Sequence, residues 1–147
     1  MVRFHGEKRF ACSSSLLWAR LTDPAFLLKC LPDLTQVDQV EPDGAAFVLR
    51  PGFAFVRGTL RARLTILEKT PETTARYKLD ANGIGSSSTV EVTLTLTPQD
   101  DGTVLGYAAE VTQLGGLLKL VPSGLISGAA QKVVADVLAG VEKNLAP

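Results

Sequence analysis

The chain has 147 residues, 46% of them hydrophobic, with Lys plus Arg and Asp plus Glu both at 15 and a formal net charge of +0. That is the size of one domain with ample apolar side chain for a core. The balanced charge excludes capture of nucleic acid or an anionic membrane by a long-range net field, so any charged partner must meet a local patch.

Residues 2–11 alternate with period 2, Val2, Phe4, Gly6, Lys8 and Phe10 against Arg3, His5, Glu7 and Arg9, which predicts a half-buried strand with one odd inward residue, Lys8. Residues 13–15 are serines that can cap a helix beginning LLWARL. Asp23 and Pro24 then restart the chain as a second short helix, stopped by Pro32. Cys12 and Cys30 stand apart rather than in a C-x-x-C pair, and the opening MVRFHGEKRF has no apolar export core. A reduced cytoplasmic setting with free thiols is therefore expected, a Cys12–Cys30 disulfide being the lesser alternative.

From residue 34 to residue 111 turn-forming clusters recur, PDG at 42–44, RPG at 50–52, TPE at 70–72, NGIG at 82–85 and PQDDG at 98–102, and they predict an antiparallel meander. Three strands alternate clearly. Val56, Gly58, Leu60, Ala62, Leu64 and Ile66 oppose Arg57, Thr59, Arg61, Arg63 and Thr65. Ala75, Tyr77, Leu79 and Ala81 share one side of the next strand, and Val90, Val92, Leu94 and Leu96 oppose Glu91, Thr93, Thr95 and Thr97 in the third. One face of the sheet is apolar and the other wet, so Leu60, Leu64, Val92 and Leu94 should be buried and Arg61, Arg63 and Thr93 exposed.

Residues 104–121 carry few charges, but no stretch reaches the roughly 18 to 20 unbroken apolar residues of a membrane span. After them the period changes. Ile126, Ala130, Val133, Val134, Val137, Leu138, Val141 and Leu145 fall on one side of a helix of about six turns. The apolar sheet face needs a cover, and this helix alone is long enough, which implies a curved sheet gripping a C-terminal helix.

The chemistry-bearing residues are few. The stretch NGIGSSS, residues 82–88, has the spacing of a phosphate cradle but precedes a strand, TVEVTLTL, and lacks the Lys-Ser or Lys-Thr pair that opens a helix in such cradles, so it reads as a turn. His5, the single histidine, lies on the wet face, which leaves Ser-His and Cys-His mechanisms without a base. One histidine and two separated cysteines supply no metal-ligand set, and no cofactor motif is present. Arg57, Arg61 and Arg63, with Arg76 and Lys78 beside them, make a basic stripe without aromatic interleaving. It is a solvated face, or else a contact for an acidic protein or headgroup, but not for nucleic acid. The inward residues are Leu60, Ala62, Leu64, Tyr77, Leu79, Val90, Val92, Tyr107 and Ala109, faced by Ala129, Ala130 and Val134. They are apolar and often small, with two phenols and no acid. The residues alone leave two readings open: an apolar pocket, or a filled core with both phenols bonded to backbone.

LLWARLTDPAFLLKCLPDL, GTLRARLTILEKTP, NGIGSSSTVEVTLTLTPQDDGTVLGYAAEVTQLGGLLKL and the closing helix together resemble the CoxG family, the CoxG subunit of carbon monoxide dehydrogenase, with WxxLxDPxxLxxCxP near the start as the most telling part. Asp33 stands where that family usually has glycine, and a Phe pair that often ends its last helix is absent. Many members also continue through a proline-rich linker to a membrane-associating segment. The resemblance implies an α+β helix-grip fold of the START-like, Bet v 1-like (SRPBCC) type. In that fold a curved antiparallel sheet wraps a long C-terminal helix, with two short helices after strand 1, here as a single domain over residues 1–147. It favours the pocket, with Leu60, Ala62, Leu64, Tyr77, Leu79, Val90, Val92, Tyr107, Ala109, Ala130 and Val134 as its lining, suited to a lipid or quinone. It implies a non-enzymatic accessory, needing no cofactor, in membrane recruitment or assembly of a molybdenum-type dehydrogenase, cytoplasmic or peripheral at the inner membrane face. The alternatives are a cyclase or aromatase-like enzyme using Tyr77 or Tyr107 as proton donor, and a protein-interaction module with a filled core.

Overall fold

The computed structural model describes residues 2–52 and 58–145. β1 (Arg3–Phe10) leads into α1 (Ser14–Leu21), whose first turn is capped by the Ser13 hydroxyl accepting from the Leu16 N–H at 3.2 Å. α2 (Pro24–Lys29) begins in the same way, the Asp23 carboxylate accepting from the Ala25 N–H at 3.1 Å while Pro24 fills the first helical position. Then come β2 (Leu34–Glu41), β3 (Gly44–Leu49), β4 (Leu60–Thr70), β5 (Thr74–Gly83), β6 (Ser86–Gln99), β7 (Gly102–Gly116), a 3-10 turn (Leu117–Leu120) and α3 (Ser123–Leu145). Every neighbouring pair is antiparallel, in the order β1-β7-β6-β5-β4-β3-β2. The expected turn clusters all lie at strand ends. Residues 56 and 57, expected to open the strand that becomes β4, lie outside the described residues.

Strand parity separates the faces as the alternation requires, with one qualification. Leu94 is buried and Arg61 and Arg63 are exposed, whereas Leu60, Leu64 and Val92 are only half-buried, as is Thr93 on the outer face. The apolar interior is divided into three clusters. The largest joins Phe10, Leu17, Leu21 and Phe26 to Ile66, Tyr77, Leu96 and Leu105 and to Leu138 and Val141 of α3. A second gathers Leu28, Ala45, Phe47 and Ala62, and a third Val111, Leu118 and Ile126.

α3 is held mainly at its C-terminal end. Leu138 and Val141 are buried there, and Gly140 presses on α2 so closely that a Cβ at that position would stand 2.9 Å from the Cys30 carbonyl oxygen. Asn144 donates to the Cys30 sulfur at 3.8 Å, and the inward Lys8 meets Glu142 at 3.5 Å, tying β1 to the helix. In the N-terminal half of α3 only Ile126 is buried, and the backbone of α3 comes closest to β1 and α2. By length and a mean hydropathy of 1.3, Ser123–Leu145 is also long and apolar enough to cross a bilayer, which a requirement for an unbroken apolar run does not register.

Filling the contact at Gly140 should loosen the grip. Gly140→Leu is expected to cost roughly 1–3 kcal/mol through overpacking against the α2 backbone, read as a lowered midpoint in urea, despite leucine's better helix propensity.

Candidate functional site

The sequence-predicted lining residues fall into two groups. Ala62, Tyr77 and Ala109 are buried, whereas Leu60, Leu64, Leu79, Val90, Val92 and Tyr107 on the sheet, and Ala129, Ala130 and Val134 on α3, are half-buried. The second group lies in and between the three clusters: Leu60, Val90 and Ala130 fringe the third, Val92, Tyr107 and Val134 the first, and Leu79 the second, with Leu64 shared by the first two. A filled core would bury such inward aliphatics completely, because protein interiors pack without gaps as large as a solvent molecule. Here these inward positions are half-buried rather than sealed. Ala62 differs from the rest: it pairs with Phe47 across β3 and β4 and is sealed in the second cluster.

The two phenols have separate fates. Tyr77 is 5% exposed and donates from its hydroxyl to the Leu21 carbonyl at 2.6 Å, stapling β5 to the end of α1. Burial disfavours its phenolate and pushes the hydroxyl above the ordinary phenol range, the wrong direction for proton transfer near neutrality. Tyr107 lies across the sheet from Gly6, where a Cβ would collide with its hydroxyl. That hydroxyl has no hydrogen-bond partner among the described residues and is not sealed from solvent. It is a free polar atom on the inner face.

Parity brings Lys8 inward, as the odd residue of its strand, opposite the fully buried Leu105. Its ammonium pairs with Glu142 and lies 5.9 Å from the Phe10 ring centroid, so the inward charge is already matched. His5 is exposed beside Arg3 and Glu7. Cys12 and Cys30 are free thiols, both pushed upward by burial and thus weakly nucleophilic. Among the described residues no group of three or more metal-ligating side chains occurs.

The outer face is a lattice of paired charges rather than a basic stripe. Arg63 reaches Glu41 at 3.1 Å, Arg76 bridges Glu68 at 2.7 Å and Glu91 at 3.3 Å, and Lys78 lies 3.7 Å from Asp80. Arg57, the third member expected there, lies outside the described residues. A shallow open hollow of about 190 Å³ lies among these charges, lined by Asp38, Arg61, Arg63, Asp80 and Asn82 with Ala46, Phe47 and Ala62 at its floor.

NGIG forms a two-residue hairpin turn between the paired Gly83 and Ser86, and β6 follows it rather than a helix, so no helix N-terminus is available to a phosphate. Ile84 and Gly85 occupy the turn with φ of 56° and 74°. Glycine and asparagine take that conformation readily, whereas a β-branched side chain is strained in it by about 1–2 kcal/mol. Ile84 is 46% exposed as well, and Leu117, Leu120 and Leu125 are 60%, 81% and 55% exposed. Sequence reasoning passed over all four. The signal was available, an isoleucine set between two glycines where the turn asks for a small or polar residue.

A curved seven-stranded antiparallel sheet closed on a long C-terminal helix, with two short helices after the first strand, defines a START-like helix-grip protein. The same fold appears in a conserved protein from Geobacillus kaustophilus (TM-score 0.88, 22% identity, covering 99% of this chain and 95% of that one). It also appears in a START superfamily protein from Mycobacterium smegmatis (TM-score 0.69, 10% identity, covering 97% and 95%) and in the Mll3558 protein from Rhizobium loti (TM-score 0.69, 19% identity, covering 97% and 95%). At these identities the likeness establishes fold alone. Residues 6–146 match the family of the carbon monoxide dehydrogenase CoxG subunit, and the chain belongs to it. No curated protein matches in sequence.

Tyr77→Phe should remove the staple to α1 and leave the Leu21 carbonyl unpaired, costing about 1–2 kcal/mol by chemical denaturation. The raised hydroxyl also sets a sign. Its stabilising contribution is complete below about pH 10, where the unfolded chain keeps the same proton, and declines as pH rises above that value. Wild type should therefore lose more stability than Tyr77→Phe between about pH 9 and pH 11, which unfolding at both pH values measures.

Proposed function

We propose that the protein is a non-enzymatic binder of a neutral, mostly apolar small molecule of the lipid or quinone kind, acting as one helix-grip domain over residues 1–147. The supporting observation is that inward aliphatics of β4, β5 and β6 and of the N-terminal half of α3 are half-buried rather than sealed. Leu60, Leu64, Leu79, Val90, Val92, Ala130 and Val134 form the walls of this reading, Ala62, Tyr77 and Ala109 back them, and Tyr107 offers one hydrogen bond to a carbonyl or hydroxyl. Neutrality follows from the inner charges among the described residues: Lys8 is already matched by Glu142. Membership of the CoxG family supports a role as accessory to a molybdenum-type dehydrogenase, in assembly or at the inner face of the cytoplasmic membrane.

A cyclase-like enzyme is the competing reading. It loses Tyr77, whose proton is buried and engaged, and rests on Tyr107 with Lys8 on the same face. A protein-interaction module with a filled core conflicts with the half-exposed interior.

Ala62, the position parity would choose for filling a pocket, is sealed against Phe47, and a large side chain there would test packing instead. Ala130→Phe is the better probe. It should leave the melting temperature within a few degrees of wild type while lowering affinity for the neutral fluorophore N-phenyl-1-naphthylamine by about tenfold or more. Native mass spectrometry of the purified wild type should show a co-purified neutral lipid or quinone that the variant lacks. A wild type that binds no probe, with Ala130→Phe strongly destabilised, would establish a filled core and overturn the proposal.

A further inference from the structure

We propose that Tyr107 is a gate on the ligand space, held open by Gly6, so that this glycine sets how much room the inner face offers. The inference rests on the ligand reading and adds to it the pair of residues that governs its size. Gly6 lies in the interior of β1 and has no left-handed φ that would call for glycine. A glycine inside a strand gives up side-chain packing and backbone order, so its presence marks a close approach by another group. Here that group is the Tyr107 phenol. A Cβ at position 6 would collide with the hydroxyl and would stand 2.6 Å from the ring carbon Cζ and 3.2 Å from Cε1. The tip of the side chain occupies the place of the missing methyl, and the ring leans from β7 across onto β1 instead of standing off the sheet.

The other phenol shows the alternative. Tyr77, on the same face, reaches off the sheet to the Leu21 carbonyl of α1 at 2.6 Å. No such bond fixes Tyr107 among the described residues. Covering a strand glycine with an aromatic ring is by itself a packing device, but phenylalanine would serve it equally well, and the unsealed hydroxyl adds nothing to it.

The effect of a methyl at position 6 follows from its surroundings. At Gly140 the obstacle to a Cβ is the Cys30 backbone, so the helix itself must yield; at Gly6 the obstacle is the far end of a side chain, so the ring yields and the strand stays. The ring has no room to slide within the sheet. Phe4 opposite Ala109 and Lys8 opposite Leu105 flank it along the strands, and the buried Leu94 stands beside it on β6. The direction left is off the sheet, where Val134 and Val137 of α3 pack against the same cluster. A phenol standing there fills the space between sheet and helix that the ligand reading requires.

Titration of N-phenyl-1-naphthylamine against Gly6→Ala, Tyr107→Ala and the double variant, each with its melting temperature, tests the gate. Gly6→Ala should stay folded at the assay temperature and lower the affinity by about tenfold or more, whereas Tyr107→Ala should bind at least as tightly as wild type. Gly6→Ala/Tyr107→Ala should recover wild-type affinity to within about threefold, because the added methyl is harmless once no ring lies over it. Gly6→Ala/Tyr107→Phe should stay weak, since the ring and not the hydroxyl fills the space. A crystal structure of Gly6→Ala should show Tyr107 turned off the sheet toward α3. Should Gly6→Ala fail to fold, Tyr107→Ala carries the test alone, because a phenol that is a wall and not a gate would take binding away with it. Unchanged affinity in Gly6→Ala, a double variant as weak as Gly6→Ala, or lost binding in Tyr107→Ala would overturn the gate and leave the pocket standing. A wild type that binds no probe would overturn the ligand reading itself and the gate with it.

Discussion

The contact between Gly140 and the Cys30 carbonyl governs how this fold distributes its interior. Two backbones can approach that closely only because one lacks a Cβ, and the approach seats Leu138 and Val141 among the side chains of α1, α2 and β1. Burial along α3 follows that contact: Leu138 and Val141 near it are sealed, whereas Ala129, Ala130 and Val134 farther back are half-buried. One tight contact thus produces both the stable part of the molecule and its accessible part.

Polar groups follow the same division. On the tight side Tyr77 closes on the Leu21 carbonyl, and the buried Thr103 hydroxyl lies 3.0 Å from that of Ser14 while donating to the Cys12 carbonyl at 2.9 Å. Each is satisfied because each is sealed. On the accessible side Tyr107 is left with a free hydroxyl. The same side-chain type is structural in one place and available in another, and the difference is the Leu21 carbonyl that only Tyr77 reaches among the described residues.

Much of this was legible in the sequence because burial leaves a periodic trace. Alternation in β4, β5 and β6 placed the faces, the caps at Ser13 and Asp23 placed the short helices, and the change of period after residue 121 placed α3. Lys8 was legible as an anomaly of parity, and the structure accounts for it through Glu142, more than a hundred residues away. What parity could not supply is depth. It assigns Ala62 and Leu79 to the same face but cannot say that Phe47 seals one and not the other, because that depends on which side chain stands opposite on the neighbouring strand. Nor could it reveal that the arginines of the outer face are mostly matched, since their partners come from strands whose register is set only by folding.

The order of the sheet has a consequence for how the chain reaches this state. β1 is an edge strand whose sole neighbour is β7, so Arg3 finds Glu110 across a separation of 107 residues. During synthesis the first strand to emerge therefore has no mate until nearly the whole sheet exists, and Phe4, Phe10 and the inward Lys8 wait in solvent meanwhile. Closing so long a loop adds entropy cost only slowly with its length, but it postpones the reward to the end, which is the signature of a slow-folding topology. Lys8 then acquires a second meaning: a charge in the middle of an unpaired, half-apolar strand discourages it from pairing with another nascent chain before its own partner arrives.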